Sequence, residues 1–157
     1  MRSLVSCSLS VAALLLSGCP AGFTALAPTT CAELTGDFTA TDFAVASTED
    51  PVRANDFLAA GDAVNLGFDD GTVTSTFTPA DGDPLVSSGT IDPDNGAITL
   101  DPGTTEWVPG LEPGLDEISC ELDEDTGAVT LTADTGFDFD EDGVFEPATL
   151  TGTFEAL

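Results

Sequence analysis

The stretch ISCELDEDTGAVTLTA, residues 118–133, has the pattern of two short strands joined by a tight turn. Apolar residues occupy alternate positions before and after the turn, at Ile118, Cys120, Leu122, Val129, Leu131 and Ala133. Alternation with period two is typical of a β-strand that buries one face and exposes the other. The acidic turn ends on Gly127, and glycine readily adopts the positive φ that tight hairpin turns require. The stretch therefore predicts a β-hairpin with one apolar face.

The same pattern recurs along the chain. Apolar and polar residues alternate over residues 63–68, 72–78 and 148–155, and glycine-containing turns follow at 69–71 and 92–96. Only residues 50–62 lack alternation, and we expect a short helix or a lid-like loop there. The whole pattern predicts an all-β protein, an antiparallel meander of about eight strands.

Two architectures accommodate such a meander. Eight antiparallel strands can close into an up-and-down β-barrel, which removes the exposed edges that an open sheet must protect. A two-sheet β-sandwich has the same alternation and the same turns, and it stays open as the alternative.

The N-terminal residues have the layout of a secretory signal. Arg2 precedes an apolar run from Leu4 to Leu16, and this run is too short to cross a bilayer as a helix. The next residues, Leu16 to Cys19, resemble the lipobox of bacterial lipoproteins. The alternative is ordinary cleavage after residues 25–27, although Pro28 follows directly.

The lipobox resemblance implies a domain organisation and a location. Residues 1–18 would be the signal peptide, Cys19 would be lipidated, residues 19–32 would form a tether, and residues 33–157 would form one β domain. The lipid would anchor the protein to a membrane of the cell envelope. Because residue 20 is Pro rather than Asp, the resemblance favours the outer membrane, at its periplasmic or surface face.

The charge of the chain is strongly negative. It has 29 acidic residues against two basic ones, for a formal net charge of −27, and all the acids follow Cys19. Nucleic acid is excluded as a partner because phosphate contacts need Lys and Arg. Either the carboxylates keep the domain soluble, or they attract a cationic or metal-bridged partner.

Four cysteines are present, and two of them belong to the N-terminal region, at Cys7 and Cys19. Cys31 and Cys120 remain, and in a secreted protein we expect them to form a disulfide. Two unpaired buried thiols are the alternative.

The residue types needed for most catalysis are missing. The chain contains no His and no Tyr, and its two basic residues are both Arg. Glycosidases use a pair of carboxylates, but among 29 acidic residues such a pair does not indicate this activity. Trp107 is interpreted as a residue that anchors a loop rather than one that stacks on a sugar. We therefore expect a protein without enzymatic activity.

The segment FDFDEDGVFEPATL, residues 137–150, resembles a calcium loop. Asp138, Asp140 and Asp142 occupy the first, third and fifth positions, the Val144 carbonyl the seventh and Glu146 the ninth, and oxygen ligands at this spacing suit Ca²⁺. Thr149 stands where an EF-hand has a bidentate Glu, which excludes an EF-hand. The alternatives are a calcium loop between β-strands and an acidic turn without metal.

Two motifs resemble the small lipocalin-like lipoproteins of bacteria. The first is the opening Leu34, Gly36 and Phe38, and the second is the terminal hairpin over residues 137–154. The likeness spans most of the chain after Cys19, and its strong matches lie at the two ends. The sequence departs from lipocalins in having Phe38 instead of Trp and in having no Arg after Arg53.

This resemblance implies a barrel that holds a small apolar ligand. The pattern predicts that the interior is lined by Phe43, Phe68, Phe77, Val129, Leu131, Leu150 and Phe154. The same residues would also fill a solid core, and the protein would then be a structural or interaction module with no internal ligand. A cavity larger than about 300 Å³ would favour the carrier, and a filled interior would favour the module.

Overall fold

The computed structural model describes residues 28–101, 107–113, 115 and 117–157. The signal peptide, the lipobox and the lipidation at Cys19 lie outside the described residues, and they stay predictions. No helix in the described part is long and apolar enough to cross a membrane.

The described chain is almost entirely β-structure. A short 3-10 helix, Cys31–Glu33, precedes nine strands. The strands are β1 (Gly36–Ser47), β2 (Ala54–Asp56), β3 (Ala63–Asp69), β4 (Thr72–Thr78), β5 (Leu85–Ile91), β6 (Ile98–Leu100), β7 (Ser119–Leu122), β8 (Val129–Phe137) and β9 (Glu146–Ala156).

Eight of these strands form one antiparallel sheet in the order β6-β5-β4-β3-β1-β9-β8-β7, and β2 pairs with β1 beside this path. β1 pairs with both β3 and β9, so the first and last long strands are neighbours. The two ends of the path meet where Ile98 of β6 bridges Ile118, the residue before β7. The predicted all-β up-and-down meander is confirmed, because the sheet nearly closes into a barrel and does not split into two sheets.

Two of the hairpin turns use the same hydrogen bonds. Between β5 and β6, Asp92 N–H donates to the Ala97 carbonyl and Gly96 N–H to the Asp92 carbonyl. Between β7 and β8, Asp123 N–H donates to the Ala128 carbonyl and Gly127 N–H to the Asp123 carbonyl. In each turn the glycine has φ near +73°, at 73° and 74°. The two segments also have similar sequences, IDPDNGAITL at 91–100 and LDEDTGAVTL at 122–131, so one turn is used twice.

Residues 50–62 contain turns and no helix, and they include a short strand that the sequence analysis did not predict. Ala54–Asp56 form the short strand β2, which pairs with Ala44–Ala46 of β1, and a turn follows over residues 57–61. Because β1 continues beyond the end of its pairing with β3 at Thr39, its edge is free to accept β2.

The predicted disulfide is confirmed. Cys31 of the 3-10 helix is bonded to Cys120 of β7, which lies 89 residues further along the chain. The bond ties the N-terminal start of the domain to β7, the strand at one end of the sheet.

Side chains fill the barrel. All seven residues predicted to face inward are at most 3% exposed, namely Phe43, Phe68, Phe77, Val129, Leu131, Leu150 and Phe154. The centre of the Phe43 ring lies 5.5 Å from the ring centre of Phe57 and 6.0 Å from the ring centres of Trp107 and Phe154. Gly152 gives the Phe43 ring its space, since a Cβ on Gly152 would lie 2.6 Å from Phe43 Cδ2.

Candidate functional site

One end of the barrel carries both the predicted metal loop and an adjoining recess. Residues 138–145 link β8 to β9 here, and the segment containing Gly110 packs against them, since Asp138 N–H donates to the Gly110 carbonyl at 3.0 Å. The turn after β2 completes this end, where Asp62 accepts a hydrogen bond from Ala80 N–H at 2.9 Å. We call it the acidic end.

The loop over residues 138–144 is shaped by its own aspartates. The Asp138 carboxylate accepts hydrogen bonds from the N–H groups of Asp142 at 3.1 Å and Gly143 at 2.8 Å. Asp142 in turn accepts one from Val144 N–H at 2.8 Å. Glu141 and Gly143 adopt positive φ, 59° and 85°, which a loop this tight requires.

Three of the five predicted calcium ligands come together. Asp138, Asp140 and Asp142 each offer one carboxylate oxygen, and these oxygens lie within 4.8 Å of one another. Asp140 and Asp142 are exposed, and Asp138 is half-buried. The group fits a hard cation that prefers oxygen ligands, although exposed carboxylates are common without a metal.

The fourth carboxylate, Glu146, is engaged elsewhere. It forms an ion pair and hydrogen bond with Arg53, which also lies 3.5 Å from Asp140. The Arg53 guanidinium sits 5.3 Å from the centre of the Phe139 ring, a cation–π distance. Arg53 is the one basic side chain within the described residues, and it serves as an internal counter-ion for the loop.

Sequence reasoning did not connect Arg53 with this loop. Arg53 lies 87 residues before Asp140 and 93 before Glu146, so spacing carries no signal of the contact. The one available signal was charge, because a lone cation among so many acids must lie near some of them.

A recess of about 350 Å³ opens beside the loop. Its lining includes the buried residues Phe57, Phe77 and Phe137 and the acidic residues Asp62, Asp138 and Glu141. None of the lining residues that the structure describes is basic. We call this the acidic recess, and its combination of carboxylates and aromatic rings suits a cation.

Two other surface recesses are similar in volume but differ in chemistry. One of them, of about 390 Å³, has Phe68 as the single aromatic residue among its described lining residues. The other, of about 380 Å³ beside the disulfide, has no aromatic lining residue in the described chain. The described lining of the acidic recess has three aromatic rings and three acidic residues, more of each than either of the other two recesses has.

Among the residues that the structure describes, the barrel interior holds very little free space. Its internal cavity has a volume of about 10 Å³. Ligand pockets for small molecules are typically about 300–1,000 Å³. The part of the interior that the described residues line therefore has no room for an organic ligand in this conformation.

Comparison with known proteins adds no assignment. No protein-family model matches the chain, and no curated protein matches it. By its fold, the protein is an antiparallel β-barrel with an internal disulfide. The likeness to lipocalin-like lipoproteins stays a prediction.

Proposed function

We propose that this chain is a membrane-anchored lipoprotein of the bacterial envelope whose barrel acts as a non-enzymatic interaction module. The module would meet a cationic partner at the acidic end. The single observation that carries this proposal is the contrast between a filled interior, with a cavity of about 10 Å³, and an external recess of about 350 Å³.

The filled interior favours the module over the carrier. A carrier of a small apolar ligand would need Phe43, Trp107 and their neighbours to move apart, and these rings are in mutual contact. Protein interiors resist such changes because packed side chains already occupy low-energy rotamers.

The charge favours a cationic partner. The formal net charge of −27 raises the local concentration of cations and accelerates their encounter with the protein. At the acidic recess, Asp62, Asp138 and Glu141 would pair with ammonium or guanidinium groups. The partner that fits is a protein or peptide segment rich in Lys or Arg.

The anchor has its own test. Mass spectrometry of the native protein should find a chain that begins at Cys19, carries acyl groups there, and contains the Cys31–Cys120 disulfide. Cys19→Ser should leave the protein unlipidated and release it from membranes. A native protein that begins after Ala27 and carries no lipid would refute the anchored lipoprotein.

The cationic partner is tested by NMR titration with a short Lys- and Arg-rich peptide. We expect chemical-shift changes at Phe57, Phe137 and Glu141, with weaker binding in Asp62→Asn and Glu141→Gln. Asp94→Asn is the matched control, because Asp94 lies in the β5–β6 turn and does not line the acidic recess. Equal losses in all three variants would show non-specific attraction and would refute the site.

A second function, weak Ca²⁺ binding, is favoured by the convergence of Asp138, Asp140 and Asp142 within 4.8 Å. We propose an affinity of about 10⁻⁴ to 10⁻³ M, the class of extracellular calcium modules. Arg53 competes with the ion, because its charge already offsets that of Asp140 and Glu146.

Calorimetry with Ca²⁺ tests this second function. Asp140→Ala should abolish the heat of binding, whereas Arg53→Gln should tighten binding by removing the competing cation. Asp125→Ala, in the β7–β8 turn, is a control that should bind as the wild type does. Featureless titrations of both the wild type and Arg53→Gln would remove calcium from the function of this loop.

A further inference from the structure

A small polar patch interrupts the apolar interior of the barrel. Ser75 of β4 and Ser87 of β5 lie directly opposite each other in the antiparallel register. Each is only 4% exposed, and Ser75 lies between Val73 and Phe77 on the inward face of its strand. Two hydroxyl groups therefore occupy neighbouring positions on the inner wall.

These hydroxyls and one further polar atom have no hydrogen-bond partner in the described part of the chain. Ser75 Oγ, Ser87 Oγ and Trp107 Nε1 are all buried and unpaired there. Buried polar groups are nearly always paired with protein or with ordered water, because desolvation without a replacement bond is costly. Three such atoms in one small region call for a common explanation.

The three residues line the same internal cavity. The other described residues that line it are apolar, namely Leu66, Val73, Ile98, Leu100, Ile118 and Leu131. The cavity volume of about 10 Å³ is close to the minimum of about 10–15 Å³ that one water molecule needs. A buried water also needs two to four polar partners, and this cavity supplies three.

The donors and acceptors match the chemistry of water. The indole N–H of Trp107 can only donate, so the bound molecule must accept a hydrogen bond. The serine hydroxyls both donate and accept, so the molecule can also donate to them. None of the described residues that line the cavity is a carboxylate, so they offer an ammonium ion of similar size no counter-charge.

We propose that the barrel contains an internal binding site for one water molecule, formed by Ser75 Oγ, Ser87 Oγ and Trp107 Nε1. The water links the β4–β5 wall to the Trp107 segment. It thereby holds Trp107 in place against Phe43. This site is independent of the acidic end and of any partner there.

Oxygen-17 magnetic relaxation dispersion on the full-length chain tests the site, since it counts long-lived internal waters directly. The wild type should contain one more long-lived water than the double variant Ser75→Ala with Ser87→Ala. Ser88→Ala is the matched control, because Ser88 is exposed and bonds to Asp101 at 2.6 Å, and it should keep the wild-type count. Equal counts in the wild type and the double variant would overturn the proposal.

A second readout keeps the test decisive if the double variant does not fold. At a hydrated site, Ser75→Ala removes a satisfied hydroxyl and should lower the melting temperature. At a dry site, the same change removes an unpaired hydroxyl and should raise the melting temperature. A melting temperature that is raised or unchanged would therefore contradict the water site.

Discussion

Ile98 and Ile118 exchange both of their backbone hydrogen bonds, with N to O distances of 2.7 Å and 3.0 Å. This pair joins the two ends of the sheet, because Ile98 opens β6 and Ile118 directly precedes β7. Both residues are 1% exposed. Their backbones therefore join the two ends of the sheet, and their side chains form part of the core. Closure protects backbone groups that would otherwise be open to another strand.

Replacing Trp107 with Ala should create a cavity in the centre of the core. We expect a loss of about 3–5 kcal/mol of unfolding free energy, the usual cost of truncating a buried aromatic side chain. Denaturant unfolding measures the loss, and added indole should restore part of it by filling the space. Trp107→Phe should lose less, and a Trp107→Ala variant as stable as the wild type would show that Trp107 does not fill the interior.

Adding one methyl group at Gly152 should also destabilise the barrel. A Cβ there would lie 2.6 Å from Phe43 Cδ2 and 2.8 Å from Phe154 Cε2. Overpacking of this kind costs roughly 1–3 kcal/mol, which urea unfolding of Gly152→Ala measures. Gly67→Ala is the control, because its nearest contact is the end of the exposed Asp37 side chain at 3.3 Å. Equal losses in both variants would contradict the close approach of Phe43 to Gly152.

Removing the disulfide should destabilise the protein strongly, because it links residues 89 positions apart. We expect Cys31→Ala with Cys120→Ala to lose about 2–5 kcal/mol in unfolding free energy. A reducing agent should lower the stability of the wild type similarly and leave the double variant unaffected. A wild type that is insensitive to reduction would contradict a stabilising role for the bond.

Acid should weaken the β7–β8 turn through Asp123. Hydrogen bonds from the N–H groups of Thr126 and Asp125 lower the pKa of Asp123 below its usual value of 3.8. Because the pKa is lower in the folded state, the stabilisation is complete above the unfolded value and is lost as the pH falls through the folded value.

Asp123→Asn keeps an acceptor oxygen but removes this titration. Unfolding measured from pH 7 down to pH 3 should therefore show a shallower loss of stability in the variant, which lacks the carboxylate's stabilisation already at pH 7 and approaches the wild type in acid. An identical acid dependence in both proteins would exclude a contribution from Asp123.

Local sequence patterns predicted most of the strands and hairpins. Alternation around Gly127 located β7, the turn and β8, because a half-buried strand and a tight turn leave signals within a few residues. The strand β2 was missed because Ala54–Asp56 show no alternation. They form a strand only because the edge of β1 lies beside them, and that is a tertiary effect.

Contacts between distant segments were not predictable. Alternation cannot distinguish a barrel from a sandwich, and the decisive contact between Ile98 and Ile118 joins separate hairpins. The three aspartates of the loop were predictable from spacing alone, since they lie within five residues. The pairing of Arg53 with Asp140 and Glu146 depends on the completed fold, and so does the cavity that Ser75 and Trp107 both line.

Amide hydrogen exchange at Ile98 and Ile118 tests most directly whether the two ends of the sheet join to form the barrel. If the two residues join the ends of the sheet, both amides should exchange as slowly as those of Leu131 and Leu150 in the central strands. Exchange at the rate of exposed loop amides, such as that of Asp94, would show that the sheet is open between β6 and β7 and would contradict the closed barrel.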